Sequence, residues 1–124
     1  MKNDCLVVAK AKLAKHEKGW GYELWIANNA QYCGKVLHFF KGKKFSMHYH
    51  VKKMETWYVQ SGKYTLTCIR PIEGEFVTFI LEPGDIFHVN QGLAHQIYCL
   101  EEGDIFEVST THEESDSYRI QKGD

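Results

Sequence analysis

The sequence predicts an all-β sandwich or barrel, on three observations. Turn-forming residues punctuate the chain at short intervals: Gly19/Gly21, Asn28-Asn29, Gly42, Ser61-Gly62, Pro71/Gly74, Pro83-Gly84-Asp85, Gly92 and Gly103. The runs between them are about 5–9 residues long and rich in Val, Ile, Phe, Tyr, Trp and Thr, the side chains that suit a pleated, half-buried surface. No 15-residue window sustains the 3.6-residue period of an amphipathic helix.

Taken in order, Lys10–Lys18 has the character of a brief helical turn. Strands are then expected at Tyr22–Ala27, Tyr32–Phe40, Phe45–His50, Glu55–Gln60, Tyr64–Arg70, Phe76–Leu81, Asp85–Val89, His95–Leu100 and Ile105–Ser109. The polar closing segment, Thr110–Asp124, reads as a surface strand or tail, with Glu113, Glu114 and Asp116 on a solvated face. No repeat or low-complexity linker interrupts the chain, so residues 1–124 form one domain with its core at about 20–109.

The chain has 124 residues, 44% hydrophobic and 25% charged, which suffices for one core and not for two. Fifteen Lys+Arg against sixteen Asp+Glu leave a net charge of -1, so no overall field draws the chain to nucleic acid or to an acidic membrane. No stretch approaches the ~18–20 apolar residues of a membrane span. The apolar run Cys5–Ala9 is too short for a signal-peptide core. Cys5, Cys33, Cys68 and Cys99 are scattered, with no Cys-x-x-Cys pair, and are expected to be reduced core thiols in a cytoplasmic protein.

Seven histidines are many for this length, and two of them stand at a telling spacing. His48 and His50 lie two apart on an expected strand, so their side chains share one face, roughly 6.5–7 Å apart along it. Two imidazoles so placed can converge on one ion with bonds of about 2.0–2.2 Å. Glu55 follows after a four-residue turn and can face the same interior, and His95 opens a strand forty residues further on. Strand parity then places Ser46, Trp57 and Val59 inward and Phe45, Met47 and Tyr49 outward. His16, His38, His88 and His112 have no partner at ligand spacing and read as ordinary exposed residues.

Glycines frame this set. Gly42-x5-His48-x-His50-x4-Glu55-x6-Gly62 resembles the first motif of the cupin superfamily. Gly84-x5-Asn90-x-Gly92-x2-His95-x3-Cys99 resembles the second, with Asn90 in place of the usual Pro and Cys99 in place of the usual Asn. The resemblance implies a double-stranded β-helix (jelly-roll) barrel holding one divalent metal ion (Zn, Mn, Fe or Ni) through His48, His50, Glu55 and His95. Gly84 and Gly92 are expected in turns that need positive φ or close backbone approach.

Further residues resemble the type II mannose-6-phosphate isomerase domain found fused to mannose-1-phosphate guanylyltransferases: Gly19-Trp20-Gly21-Tyr22-Glu23, then Tyr32, Lys35, Leu37, Ser46, Glu55 and Trp57, and finally Tyr118-Arg119-Ile120. Val51, Lys52, Lys53, Thr56 and Gln96 depart from that family's polar pattern, and His48 stands where it usually has Gln. The resemblance implies a phosphorylated sugar as ligand and aldose–ketose isomerisation as activity, with a proton moved between neighbouring carbons while a metal polarises the sugar oxygens. On that reading parity turns Lys35 inward beside Ser46; Lys35 contacts the substrate or enediolate and is, with Ser46, a catalytic candidate. Arg119 clamps phosphate through a bidentate guanidinium.

Two other activities fit the same residues: a ferrous cupin dioxygenase, which suits three His and one Glu, and a non-catalytic sugar- or metabolite-binding module. Lys41, Lys43, Lys44, Lys52 and Lys53 read as a solvated rim, or as a steering ring if they surround the barrel mouth. A homodimer is expected of a small cupin, with Phe45, Tyr49 and Tyr58 as an aromatic outer face or, equally, as packing between sheets.

Overall fold

Branched and aromatic residues alternating with polar ones leave half of each segment needing burial, and antiparallel pairing of such segments meets that need. A computed structural model describes Leu6 and residues 8–124. Its strands are β1 (Lys15–Lys18), β2 (Gly21–Asn28), β3 (Cys33–Phe39), β4 (Met47–Tyr49), β5 (Glu55–Val59), β6 (Lys63–Ile69), β7 (Phe76–Leu81), β8 (Ile86–Val89), β9 (Ala94–Glu101), β10 (Gly103–Ser109) and β11 (Tyr118–Gln121). They form two antiparallel sheets, ordered β1-β2-β3-β10-β5-β8 and β11-β4-β9-β6-β7. This is the all-β double-sheet barrel the sequence predicts. Short 3-10 turns occur at Ala11–Ala14 and Glu114–Asp116, and no described helix is long and apolar enough to cross a membrane.

The alternation is regular where the core is deepest. Burial alternates without interruption along β3 and β6, and Leu37, Phe39, Val59, Tyr64, Leu66, Ile97, Cys99 and Ile105 pack between the sheets. Pairing register sets inward residues side by side: Lys35 beside Glu107 and Glu107 beside Trp57 in the first sheet, His48 beside His95 and His95 beside Cys68 in the second. Gly84 and Gly92 have φ of 94° and 79°, with nothing within 4 Å of where a Cβ would stand, so turn conformation rather than crowding selects glycine there.

Several expectations change. The helical turn at Lys10–Lys18 is one 3-10 turn followed by β1. The strand expected over Phe45–His50 is only Met47–Tyr49. Before it, the Phe45 N–H bonds to the Ile97 carbonyl and the Gln96 amide donates to the Phe45 carbonyl, which takes the chain out of strict alternation. Phe45 therefore turns inward, against Trp20, Phe39 and Trp57, and is no part of an outer face. Tyr49 stacks on Tyr118, and Tyr58 is exposed beside Phe106. Cys33, Cys68 and Cys99 are buried free thiols, whereas Cys5 lies outside the described residues.

Candidate metal centre

The second sheet supplies three imidazoles and the first sheet a carboxylate. His48 sits on β4, directly across from His95 on β9, and His50 follows just past the end of β4. The His48–His95 and His48–His50 ring centroids are 4.6 and 5.0 Å apart, and the nitrogens the three rings can offer an ion all lie within 4.8 Å of one another. His50 and His95 are buried, and His48 is half-buried.

The proton position on each ring follows from its neighbours. His48 Nδ1 faces the Ser46 carbonyl at 2.7 Å, His50 Nδ1 the Asp116 carbonyl at 2.6 Å and His95 Nδ1 the Leu93 carbonyl at 2.8 Å. A carbonyl oxygen only accepts, so every Nδ1 carries a proton. Each neutral ring is left with a lone pair on Nε2, the arrangement that prepares histidine for a metal.

Glu55, at the start of β5, approaches two of the three rings. Its Oε1 accepts the Trp57 indole N–H at 3.0 Å, while its Oε2 lies 3.1 Å from His50 Nε2 and 3.7 Å from His95 Nε2. The shorter of these is an ion-pair distance, yet its alignment is not that of a hydrogen bond, and Oε2 is buried without a partner. Leaving such an acceptor unsatisfied costs on the order of 1–3 kcal/mol. Three clustered imidazole nitrogens, two of them facing an orphaned carboxylate oxygen, fit a divalent cation, and His48, His50 and His95 can hold one.

Electrostatics favour neutral rings at His48 and His95 but not at His50. Burial, with the other two imidazoles, pushes His48 down to about 3. Burial also lowers His95, against the pull of Glu55. Burial opposes a charged His50 as well, but Glu55 and the Asp116 carbonyl outweigh it and raise its pKa. For Glu55 itself, burial is overcome by His50, Lys53 and His95, which hold the carboxyl well below its ordinary range.

These groups form the floor of a cavity of about 300 Å³, at the small end of the range for ligand pockets. Lys35 is buried in its wall, 3.2 Å from Glu23 and over the Trp25 ring, so it points inward as parity predicts. The Ser46 hydroxyl lies 2.9 Å from His48 Nδ1, on the ring edge away from Nε2. Register sets Arg119 on β11 opposite His48, and Lys18, Arg119 and Lys122 line the cavity on its exposed side.

Four residues take places the sequence did not suggest. Lys53 is not part of a solvated rim: it is buried, 2.9 Å from Glu107 and 3.8 Å from Glu55. Glu107 is buried inside the cavity wall, where burial and the charge of Glu55 raise its pKa against the pull of Lys53. Parity along β10 carries the signal for it, since Ile105 and Glu107 share a face. His112 is not an ordinary exposed residue either; it is half-buried, lines the cavity and meets Lys53 Nζ at 3.1 Å. Asp116 is buried rather than solvated, because its carboxylate accepts backbone N–H groups of Val51, Lys52 and Lys53. Lys52 is exposed and pairs with Glu113, and Lys41, Lys43 and Lys44 are exposed on the surface.

A two-sheet β-barrel with imidazoles converging inside it defines a class of metal-site barrel. Residues 35–108 match the cupin domain, and the chain belongs to that family. No curated protein matches it in sequence. Among solved structures it is similar to a single-residue variant of oxalate decarboxylase from Bacillus subtilis, with a TM-score of 0.74 and 21% identity over 86% of this chain and 30% of that one. It is also similar to an RmlC-like cupin from Shewanella frigidimarina (TM-score 0.69, 22% identity, 82% and 86% covered) and to KdgF from Halomonas sp. (0.64, 19%, 76% and 81%). At these identities the likeness is one of fold. The chain spans 30% of the oxalate decarboxylase chain it matches.

Proposed function

We propose that this cupin binds one divalent metal through His48, His50, His95 and Glu55, and uses it to bind and isomerise a small phosphorylated sugar. The observation that carries the reading is the meeting of the His48, His50 and His95 nitrogens in a cavity lined also by Lys18, Arg119 and Lys122, with the orphaned Glu55 Oε2 at 3.1 and 3.7 Å from His50 and His95 Nε2. When bound, the ion supplies a Lewis acid for carbonyl and hydroxyl oxygens.

The chain's own groups then have separate tasks. Arg119, exposed on β11, offers two parallel N–H donors to a phosphate. Lys35 is fixed by Glu23 and Trp25 and offers its remaining donors to a sugar oxygen. Ser46 acts behind His48, holding the ring's orientation. The resemblance to type II mannose-6-phosphate isomerase domains supports the choice of sugar phosphate.

Calorimetry on metal-loaded protein tests this with mannose 6-phosphate, mannose and inorganic phosphate. The phosphorylated sugar is expected to bind at least tenfold more tightly than either fragment, with Arg119→Ala removing most of the difference. Incubation in deuterated water should place deuterium at C2. Equal affinities for all three ligands would overturn the sugar-phosphate reading. Binding without exchange would leave a binding module, and oxygen consumption by the ferrous protein would favour a dioxygenase.

A further inference from the structure

We propose that Asp116 is a positioning residue for the metal centre, tying the C-terminal segment to the ligand loop. The inference rests on the metal reading above. Two parts of the same residue act on one loop. The Asp116 backbone carbonyl accepts His50 Nδ1–H at 2.6 Å. Its carboxylate accepts from three consecutive backbone N–H groups: Val51 at 2.9 Å, Lys52 at 3.1 and 3.2 Å, and Lys53 at 3.0 Å. Successive N–H groups curled round one anion form a compact nest.

The loop so held runs from His50 to Glu55 and carries three of the cavity's charged or ligating groups: His50, Lys53 and Glu55. Its two ends are fixed independently, since the His50 carbonyl accepts the Gly92 N–H at 2.7 Å and Glu55 begins β5. What remains to be set between those anchors is the rotation of the His50 ring and the path of Val51–Lys53. Asp116 sets both. It is 4% exposed, although it stands in a polar segment just before an exposed strand, so its burial is spent on this contact. Asp116 is not among the clustered nitrogens themselves; it acts through His50 and the loop.

Outer-shell partners of metal ligands typically change metal affinity 10–100-fold when removed. Without the carboxylate, the loop N–H groups turn to water and the segment carrying the Asp116 carbonyl loses its anchor. His50 Nδ1 then loses a fixed acceptor and its Nε2 is no longer aimed. Asp116→Asn keeps one acceptor oxygen but faces an NH2 group to the neighbouring N–H groups, so it is an intermediate case.

Cobalt(II) tests this, because its visible bands report the number and geometry of ligands, which loss of fold stability alone does not alter. Wild type, Asp116→Ala, Asp116→Asn and Asp85→Ala are titrated with cobalt(II) against a competing chelator. Asp85 caps the Glu82 N–H at 2.7 Å in a remote turn and controls for loss of a cap. The expected result is at least a tenfold weaker affinity with altered bands for Asp116→Ala, a smaller loss for Asp116→Asn, and wild-type affinity and bands for Asp85→Ala. Wild-type affinity and spectrum in both Asp116 variants would overturn this proposal alone. An equal loss in Asp85→Ala would overturn it too. A wild-type protein that takes up no cobalt would overturn the metal reading and this proposal with it. If Asp116→Ala fails to fold, the Asp116→Asn spectrum decides.

Discussion

The barrel interior has two ends, built from the same strands by the same alternation and opposite in chemistry. At one end Phe39, Val59, Tyr64, Leu66, Ile97 and Ile105 are fully or almost fully buried against one another. At the other, two to four residues along the same strands, the inward positions are Lys35, Glu107 and His95, joined by Glu55, His50 and Lys53. The apolar end is stabilising by default, at roughly 25 cal/mol per Å² of apolar surface removed from water. The polar end is not. Buried ion pairs such as Lys53–Glu107 are commonly no more stable than apolar side chains of similar size. So many buried charges beside an orphaned carboxylate oxygen support the proposal that this end of the barrel takes a ligand.

The comparison predicts that stability and metal binding separate along the barrel. Leu66→Ala, at the apolar end, should lose about 2–5 kcal/mol of stability through lost burial and a residual cavity. Urea unfolding of the metal-free protein measures this, and the folded fraction should keep wild-type metal affinity. His95→Ala should do the reverse, lowering bound metal at neutral pH at least tenfold by elemental analysis, with a smaller stability change than Leu66→Ala. Were both variants to lose stability and metal in parallel, the two ends would be one unit.

A finer cut comes at the boundary. Trp57 packs its ring in the core while its indole N–H holds Glu55 Oε1. Trp57→Phe should therefore weaken metal binding by about tenfold, as loss of an outer-shell partner does, and lower stability by only about 1 kcal/mol. The smallest effect concerns the thiols. Burial pushes both Cys68 and Cys99 up to about 11. Raised folded-state values mean that the unfolded chain ionises first. The contribution of these thiols is thus complete below the ordinary thiol value and fades as pH rises from there towards 11. Alkylation followed by peptide mass spectrometry at pH 8 should find both unmodified in the native protein and modified in urea.

The apolar end was largely legible from the sequence. Alternation gave Trp57 and Val59 their inward positions, and the glycine-framed spacing of His48, His50, Glu55 and His95 carried the family and the three imidazoles that meet. Lys35 followed from parity. Phe45 did not, because parity applies only while a strand lasts, and the Gln96 side chain and the Ile97 carbonyl take the chain out of register before Met47. Lys53, His112 and Asp116 were hidden for a different reason. Each looks like a solvated surface residue beside its sequence neighbours and acquires its partner only when the C-terminal segment folds back, 59 to 65 positions away along the chain. Local composition carries no trace of such a contact. Glu107 was within reach of the parity argument applied to β10.

Anomalous diffraction from crystals of the purified protein, collected on both sides of the absorption edge of the metal found by elemental analysis, addresses the main claim most directly. A single peak is expected at bonding distance, about 2.0–2.2 Å, from Nε2 of His48, His50 and His95 and from a Glu55 oxygen. A peak bound elsewhere, or the four groups ordered with no ion between them after metal loading, would contradict it.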